Sequence, residues 1–335
     1  MSPIRSVGFF LVPGFALLCY AATVEAMRAA NRLSGKELYR WSHAAPGDEP
    51  AMSSSGATIL PDLPFGTDAR GLDLLLVCAG GNPTTYRDKR TFAWFRQLAR
   101  RGVAIGGVSG GPFILARAGL LAGRRCTVHW DHVPAFQEAF PDLTLTRSLF
   151  ELDGDRITCS GGVAGLDMMT ALIARDHGRE LGAAVSDWFL HTYVREGAGP
   201  QRMDLRFRLG VSNEKLLPVL KAMESHLEEP LSREALAQLA GISVRQLERA
   251  FRIALGRGVH EHYLAVRLER SRQLLRETSL PVVEVALATG FASASQFSRA
   301  YRRVFGFPPR EEILRHTRAL SLAKRESLEV KYTRK

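Results

Sequence analysis

Residues 107–111 read GVSGG, with Ser109 between an apolar run and an amphipathic one. The G-x-S-x-G spacing is that of a nucleophile elbow, a sharp strand-to-helix turn that exposes a hydroxyl at the end of a sheet. A serine attacks a carbonyl carbon only when a bonded base takes its proton and a third group orients that base. His226, His260, His262 and His316 all fall in a strand-free C-terminal region, whereas His129 follows the serine by one strand. His129 is therefore the histidine whose position fits. Hydrolysis at Ser109 is one chemistry this stretch allows, and a ligand pocket of the same shape without catalysis is the other.

The elements that must position these residues alternate along the first 194 residues. "SVGFFLV" reads as a strand, and a helix follows near 16–33. "LYRWSHAA", "GATILPD" and the continuous apolar run "LDLLLVCAGG" are strand-like, and "DKRTFAWFRQLARR" (88–101) is helical with Asp88 as its N-cap. "GVAIGGVS" is a strand, "GPFILARAGLLAG" a helix, "RCTVHW" and "RITCSGG" are strands, and "VAGLDMMTALIARDHG" is a helix. This alternation predicts an α/β doubly wound, flavodoxin-like sheet with helices on both faces. Ligands in such folds sit beyond the carboxyl ends of the strands. Gly80 with Gly81, Ser109 with Gly110, His129 with Trp130, and Gly161 with Gly162 all follow strand ends and should share one rim.

Charge separates the chain into two regions. Residues 1–200 hold 20 Lys and Arg against 19 Asp and Glu, and residues 201–335 hold 25 against 15. A basic module joined to a neutral one points to a polyanion, nucleic acid before anionic membrane. The four cysteines (19, 78, 126 and 159) form no metal-ligand spacing, so a reduced, cytoplasmic protein without metal or cofactor is expected. The apolar N-terminus is split by Pro13 and Gly14 and continues into a helix containing Glu25 and Arg28, which argues against a secretory signal. No other apolar stretch approaches the ~20 residues of a membrane span. Residues 195–212 lose periodicity and collect Gly, Pro and Arg, as a linker does. Residues 213–318 are helical, and 319–335 form a basic tail.

The helical region contains an internal repeat. "ALAQLAGISVRQLERAFRIALG" (235–256) returns as "EVALATGFASASQFSRAYRRVFG" (284–306), each a helix, a glycine turn and a second helix. That is the helix-turn-helix layout, here present twice in an all-α domain. Leu247 with Phe251, and Phe297 with Tyr301, form the inward faces at i, i+4 spacing. The outward faces carry Arg245, Gln246, Arg249 and Arg252 in the first copy, and Ser295, Gln296, Arg299, Arg302 and Arg303 in the second. Arg and Gln make two-pronged contacts to guanine and adenine edges. Ser243 and Ser293 are the N-caps, and the helix starts they define favour phosphate. Arg267 and Arg270, on the connecting helix, read as salt-bridge partners or phosphate contacts. The alternative for all of these side chains is the solvated face of an ordinary helical bundle.

Residues 213–318 resemble the AraC/XylS family of transcription regulators, most clearly over "VALATGFASASQFSRAYRRVFGFPPREEILR" (285–315). The resemblance implies two recognition helices in successive major-groove turns, held by the connecting helix. Residues 5–190 resemble the class I glutamine-amidotransferase-like (PfpI) superfamily, whose elbow reads A-x-C-H-G-P. Ser109 stands at the cysteine position of that motif, and Gly110 at the histidine position. The same resemblance places Glu25 as the acid beside the elbow and His129 as the histidine after the next strand. Cysteine works at such an elbow because its pKa can be lowered to give a thiolate. A serine with no neighbouring histidine keeps the pocket's shape without its chemistry, so no catalytic residue is expected.

"EAMRAANRLSG" (25–35), "RRCTVHW" (124–130) and "DWFLHTYVREGAGPQRM" (187–203) are similar to GlxA-like regulators, which fuse these two domains. Some members sense arginine, carnitine or glycine betaine. Glu25 and Trp130 would hold a cationic head group by charge and cation–π attraction. Ser109 and the amides of Gly80, Gly81 and Gly110 would hold a carboxylate. The expected protein is a DNA-binding regulator, an activator by family habit, that binds a small nitrogen-containing effector. Its partners would be double-stranded DNA, a second copy and RNA polymerase. An amidase using Ser109, or an architectural DNA-binding dimer without effector, are the alternatives.

Overall fold

The computed structural model describes residues 5–315. The chain divides into two compact units, Met1–Arg202 and Met203–Lys335. The basic tail expected at 319–335, and His316, lie outside the described residues.

The first unit runs β1 (Arg5–Leu11), α1 (Leu17–Ser34), β2 (Tyr39–Ala44), β3 (Ala51–Met52), β4 (Thr58–Ile59), β5 (Leu74–Ala79), α2 (Lys89–Arg100), β6 (Ala104–Ser109) and α3 (Gly111–Arg117). It continues with β7 (Arg125–Cys126), α4 (Val133–Ala139), β8 (Thr144–Leu145), β9 (Phe150–Asp153), β10 (Arg156–Cys159), α5 (Ala164–His177) and α6 (Arg179–Trp188). The main sheet has order β2-β1-β5-β6-β10-β9. All its pairings are parallel except β9 with β10.

Side chains along β1 and β5 alternate between two cores, as the pleat of a strand dictates. Phe9, Leu11, Leu76 and Cys78 join one core with Met27 of α1, Met168 of α5 and Val185 of α6. Phe10, Leu75 and Val77 join the other with Phe95 of α2, Phe113 of α3 and Phe136 of α4. Because both faces are covered, β5 is buried along its whole length, which is why its sequence is continuously apolar. Asp88 caps α2 by accepting the Arg90 N–H.

Two expected strands are much reduced. "GATILPD" contributes only β4 to a small hairpin with β3, and "RCTVHW" only β7 to a two-residue pairing with β8. Edge strand β9 was not anticipated. It returns to β10 through Gly154, whose φ of +63° suits the tight turn.

The second unit is helical: α7 (Leu205–Leu209), α8 (Leu216–Ser225), α9 (Arg233–Ala240), α10 (Val244–Leu255), α11 (Val259–Glu277), α12 (Val282–Ala288) and α13 (Ala294–Phe305), with 309–315 also helical. It has two small cores. Leu247 and Phe251 lie in the first, and Phe297 and Tyr301 in the second. Helix α11 is the link between them: Val259 and Tyr263 belong to the first core, Leu268, Leu274 and Leu275 to the second. Its 19 residues span about 28 Å at 1.5 Å per residue.

The division between the units falls inside the aperiodic stretch 195–212, after Arg202. Gln201 bonds back to Thr127, Val128 and Ser148 in the first. Leu205 and Val211 are buried in the core of the second.

Candidate effector site and nucleic-acid interface

Ser109 ends β6 with φ +61°, the left-handed backbone that gives an elbow its sharp turn. The tightness of the turn explains its glycines. A Cβ on Gly107 would lie 2.5 Å from Pro112 N, and one on Gly111 would lie 2.0 Å from Val77 O. Of the residues expected along this rim, Gly161 and His129 meet Ser109 directly. Gly80 packs on the β1–α1 loop, where an added Cβ would meet Gly14 O at 2.7 Å. A Cβ on Gly161 would lie 2.7 Å from Ser109 Cβ and 2.9 Å from Cys19 Sγ. The His129 N–H donates to Ser109 O at 3.3 Å.

The α1 side chain that meets the elbow is Cys19, not Glu25. Cys19 Sγ accepts the Gly162 N–H at 2.9 Å and lies in hydrogen-bond contact with the Ser109 hydroxyl. Burial raises the thiol's pKa more than these hydrogen bonds lower it, so Cys19 stays protonated. Glu25, expected at this position, lies further along α1 and pairs instead with Arg28 at 2.6 Å. It is a half-exposed i,i+3 partner on the helix surface.

Gly110 also departs from expectation. Its N–H donates to Ala79 O at 3.1 Å and so is committed to the turn rather than held for a ligand carboxylate.

His129 is neutral. Burial first, then the neighbouring His132, lowers its pKa, and its Nδ1 accepts the Asp131 N–H at 3.3 Å. No hydrogen bond joins its ring to the Ser109 hydroxyl among the described residues, so nucleophile and base are not aligned. Trp130 is 40% exposed and already carries a cation, because the Arg202 guanidinium lies 4.3 Å from its ring centre.

The sequence reading missed Tyr20 and His43, whose hydroxyl and Nε2 are 2.8 Å apart between α1 and the end of β2. Phe9 and Phe15 pack edge-on to Tyr20. The available signal was Tyr20's place beside Cys19 in the first turn of α1.

In the second unit, Ser243 caps α10 and Ser293 caps α13, each accepting the N–H of the glutamine three residues on. Those glutamines reciprocate. Gln246 Oε1 accepts the Ser243 N–H at 2.9 Å, and Gln296 Oε1 accepts the Ala292 N–H at 3.2 Å. Their carbonyl ends are therefore engaged in capping, and only the NH2 end of each is left to meet a base. The pattern S-x-x-Q, twice, was the overlooked signal.

Arg245, Arg249 and Arg252 on α10, with Ser295, Arg299, Arg302 and Arg303 on α13, are all exposed. None of these six arginines pairs with an acidic group among the described residues. Three acids of this unit have other partners. Glu224 takes Arg208, Glu312 takes Arg272 and Arg276, and Glu248 accepts the Val259 N–H that starts α11.

Arg267 corrects a third expectation. It is neither a salt-bridge partner nor turned to a phosphate: it donates to Thr289 O at 2.7 Å and to Gly290 O, and lies over Phe291. In this way α11 holds the turn of the second helix pair. Gly290 in that turn (φ +73°) packs so closely that a Cβ would lie 2.5 Å from Leu227 O. The Tyr263 hydroxyl donates to His226 O. Both contacts reach the α8–α9 loop, so the two helix pairs form one body. Buried Glu312 accepts from Tyr301 Oη at 2.8 Å and pairs with Arg272 and Arg276. Burial would raise this carboxyl, but the Tyr301 and Arg276 bonds outweigh it and hold the group below its usual range.

Two helix-turn-helix pairs with exposed arginines on their second helices are DNA-reading equipment, and the doubly wound unit that precedes them carries a serine elbow where an enzyme would have a nucleophile. This is the plan of a ligand-sensing transcription regulator. Residues 6–175 match the DJ-1/PfpI family and residues 236–313 a helix-turn-helix domain family. The HTH-type transcriptional regulator GlxA of Rhizobium meliloti is 45% identical over 91% of this chain and 94% of its own. GbdR of Pseudomonas aeruginosa, also an HTH-type transcriptional regulator, is 43% identical over 92% and 84%. An AraC family regulator from Pseudomonas putida shares the fold, with TM-score 0.51 and 24% identity over 55% of this chain and 99% of that one. The chain belongs to the GlxA-type regulators, in which an AraC/XylS-type helix-turn-helix domain is fused to a DJ-1/PfpI domain.

Proposed function

We propose that the chain is an activator that binds a small nitrogen-bearing metabolite in its first unit and reads an operator with α10 and α13. The observation that carries the DNA reading is the set of six exposed arginines without acidic partners on two capped helices. Arg249 and Arg299 are the base readers, and the helix starts at Ser243 and Ser293 lie on phosphate. The protein acts in the cytoplasm as a homodimer, which raises avidity for paired half-sites, and contacts RNA polymerase when bound. None of the described helices is long and apolar enough to cross a membrane.

The effector lies over Ser109, with the Gly80 and Gly81 backbone, His129 and Trp130 around it, and with Cys19 and Tyr20 in place of Glu25. Gly110 shapes the turn without lending its N–H. The elbow does not catalyse, because the Ser109 hydroxyl is bonded to a protonated thiol and no base is aligned with it. Two measurements test these readings. Genomic fragments selected by the full chain, with and without a panel of amino acids and betaines, should converge on one operator whose recovery depends on one metabolite. That metabolite should also raise the melting temperature. Recovery of random fragments would overturn the DNA reading, and indifference to every metabolite would leave an architectural DNA-binding protein in its place.

A further inference from the structure

The segment that closes the first unit is tied down across the elbow side of the sheet, at one point after another. At its start, Asp167 of α5, fully buried, accepts the Arg195 N–H at 2.9 Å and Arg195 Nη2 at 2.6 Å, with His191 Nε2 2.8 Å away. Next, Gly197 O accepts the Leu149 N–H at 2.7 Å, and a Cβ on Gly197 would lie 2.9 Å from Phe150 O. Only glycine lets the chain lie so close to β9. Gln201 Nε2 then reaches Thr127 Oγ1, Val128 O and Ser148 O at 2.8–3.0 Å, just before His129 and Trp130. At the end, the Arg202 guanidinium rests on the Trp130 indole. The next residue, Met203, begins the second unit.

A guanidinium on an indole is held by the same quadrupole attraction that would bind a cationic ligand there. Because Arg202 is tethered, its effective concentration at Trp130 is high, and a free cation must displace it. We propose that residues 195–202 form a strap whose last side chain is a built-in competitor for the effector. Arg202 occupies Trp130 in the unliganded protein, and a cationic effector takes the indole and frees the end of the strap. Ligand then favours the unseated strap, which is the differential binding that any ligand switch requires. The change falls on the residue that precedes the DNA-binding unit. This inference rests on the reading of Trp130 as an effector contact.

The test uses the full chain and tetramethylammonium chloride as the cation, against sodium chloride at equal strength. Amide exchange of the strap and the melting temperature are followed in the wild type, Arg202→Gln and Trp130→Leu. In the wild type the cation should speed strap exchange and raise the melting temperature. Arg202→Gln should exchange fast without cation and reach its half-maximal melting shift at a several-fold lower concentration. Trp130→Leu should not respond to the cation in either measurement. If Arg202→Gln does not fold, Arg202→Lys should give the same ordering in weaker form. A strap in Arg202→Gln as protected as in the wild type overturns the proposal. So does a wild type whose melting temperature rises while its strap is unmoved, although Trp130 would then remain an effector contact. A wild type with no cation response overturns the competition, and the metabolite panel alone then decides whether the first unit is a sensor.

Discussion

Ser109 and Cys19 are one bond apart in hydrogen-bonding terms, and this pair decides what the elbow can do. A buried, protonated thiol occupies the place from which an acid or base would act, and His129 spends its Nδ1 on the Asp131 N–H. A serine-directed fluorophosphonate is therefore expected to leave the intact mass of the chain unchanged, and a stoichiometric adduct on Ser109 would restore the hydrolase reading. The elbow was legible from G-x-S-x-G because its glycines are sterically required. The residue facing it was not, because helical position alone does not tell which turn of α1 meets a loop far away in sequence. A carboxylate seemed the natural neighbour, yet Glu25 satisfies itself locally with Arg28. On the DNA side, Arg249→Ala and Arg299→Ala should each weaken specific binding by ~1–3 kcal/mol and relax one operator position. Both variants should fold normally, since neither side chain has an ion-pair partner among the described residues. Unchanged affinity in a competition assay would remove that residue from the readers.

At the scale of the element, each second helix is fixed by its cap and by what α11 holds against it. Arg267→Ala removes two bonds to turn carbonyls and a cation on Phe291, and should destabilise the second unit by about 2–4 kcal/mol. It should also blur the second half-site in a footprint, although Arg267 touches no base. A wild-type denaturation midpoint for this variant would contradict its role.

His262 carries a pH dependence. It is 3% exposed, packs edge-on to Phe251 and accepts from Arg257 Nε at 3.1 Å. Burial first, then the Arg257 charge, lowers its pKa from 6.5 to about 4, against a smaller opposing pull from Glu224. The folded state thus binds fewer protons than the unfolded one between these values. The stabilisation is whole above 6.5 and is lost as the pH falls toward 4, by at most about 3 kcal/mol. Urea unfolding of His262→Gln should show a flatter profile across that window, and parallel profiles for variant and wild type would refute this account. Periodicity revealed the helices because each buries one stripe. It did not reveal β9, a four-residue edge strand with a charged, half-buried face, nor the brevity of β4 and β7, where β-rich composition found no partner of matching length.

At the scale of the whole molecule, a nearly neutral sensor unit is joined to a strongly basic DNA-binding one, and the charge split in the sequence marks that division of labour. The stretch that looked like a linker lacks periodicity because it forms no long element, yet its polar and glycine residues are there to bond and to fit. Sequence pattern cannot separate a free linker from a chain pinned by side-chain hydrogen bonds. Operator affinity should fall steeply with salt, and each phosphate-contacting arginine removed should reduce the slope of log K against log salt by ~1.

Helices α10 and α13, held together through α11, should read one duplex in two neighbouring major grooves. Hydroxyl-radical footprinting of the full chain on a selected genomic fragment tests it most directly. Two protected patches are expected on one face of the DNA, one helical turn (~10 bp) apart, with Arg249→Ala erasing one and Arg299→Ala the other. A single patch, patches on opposite faces, or protection indifferent to both substitutions would contradict it.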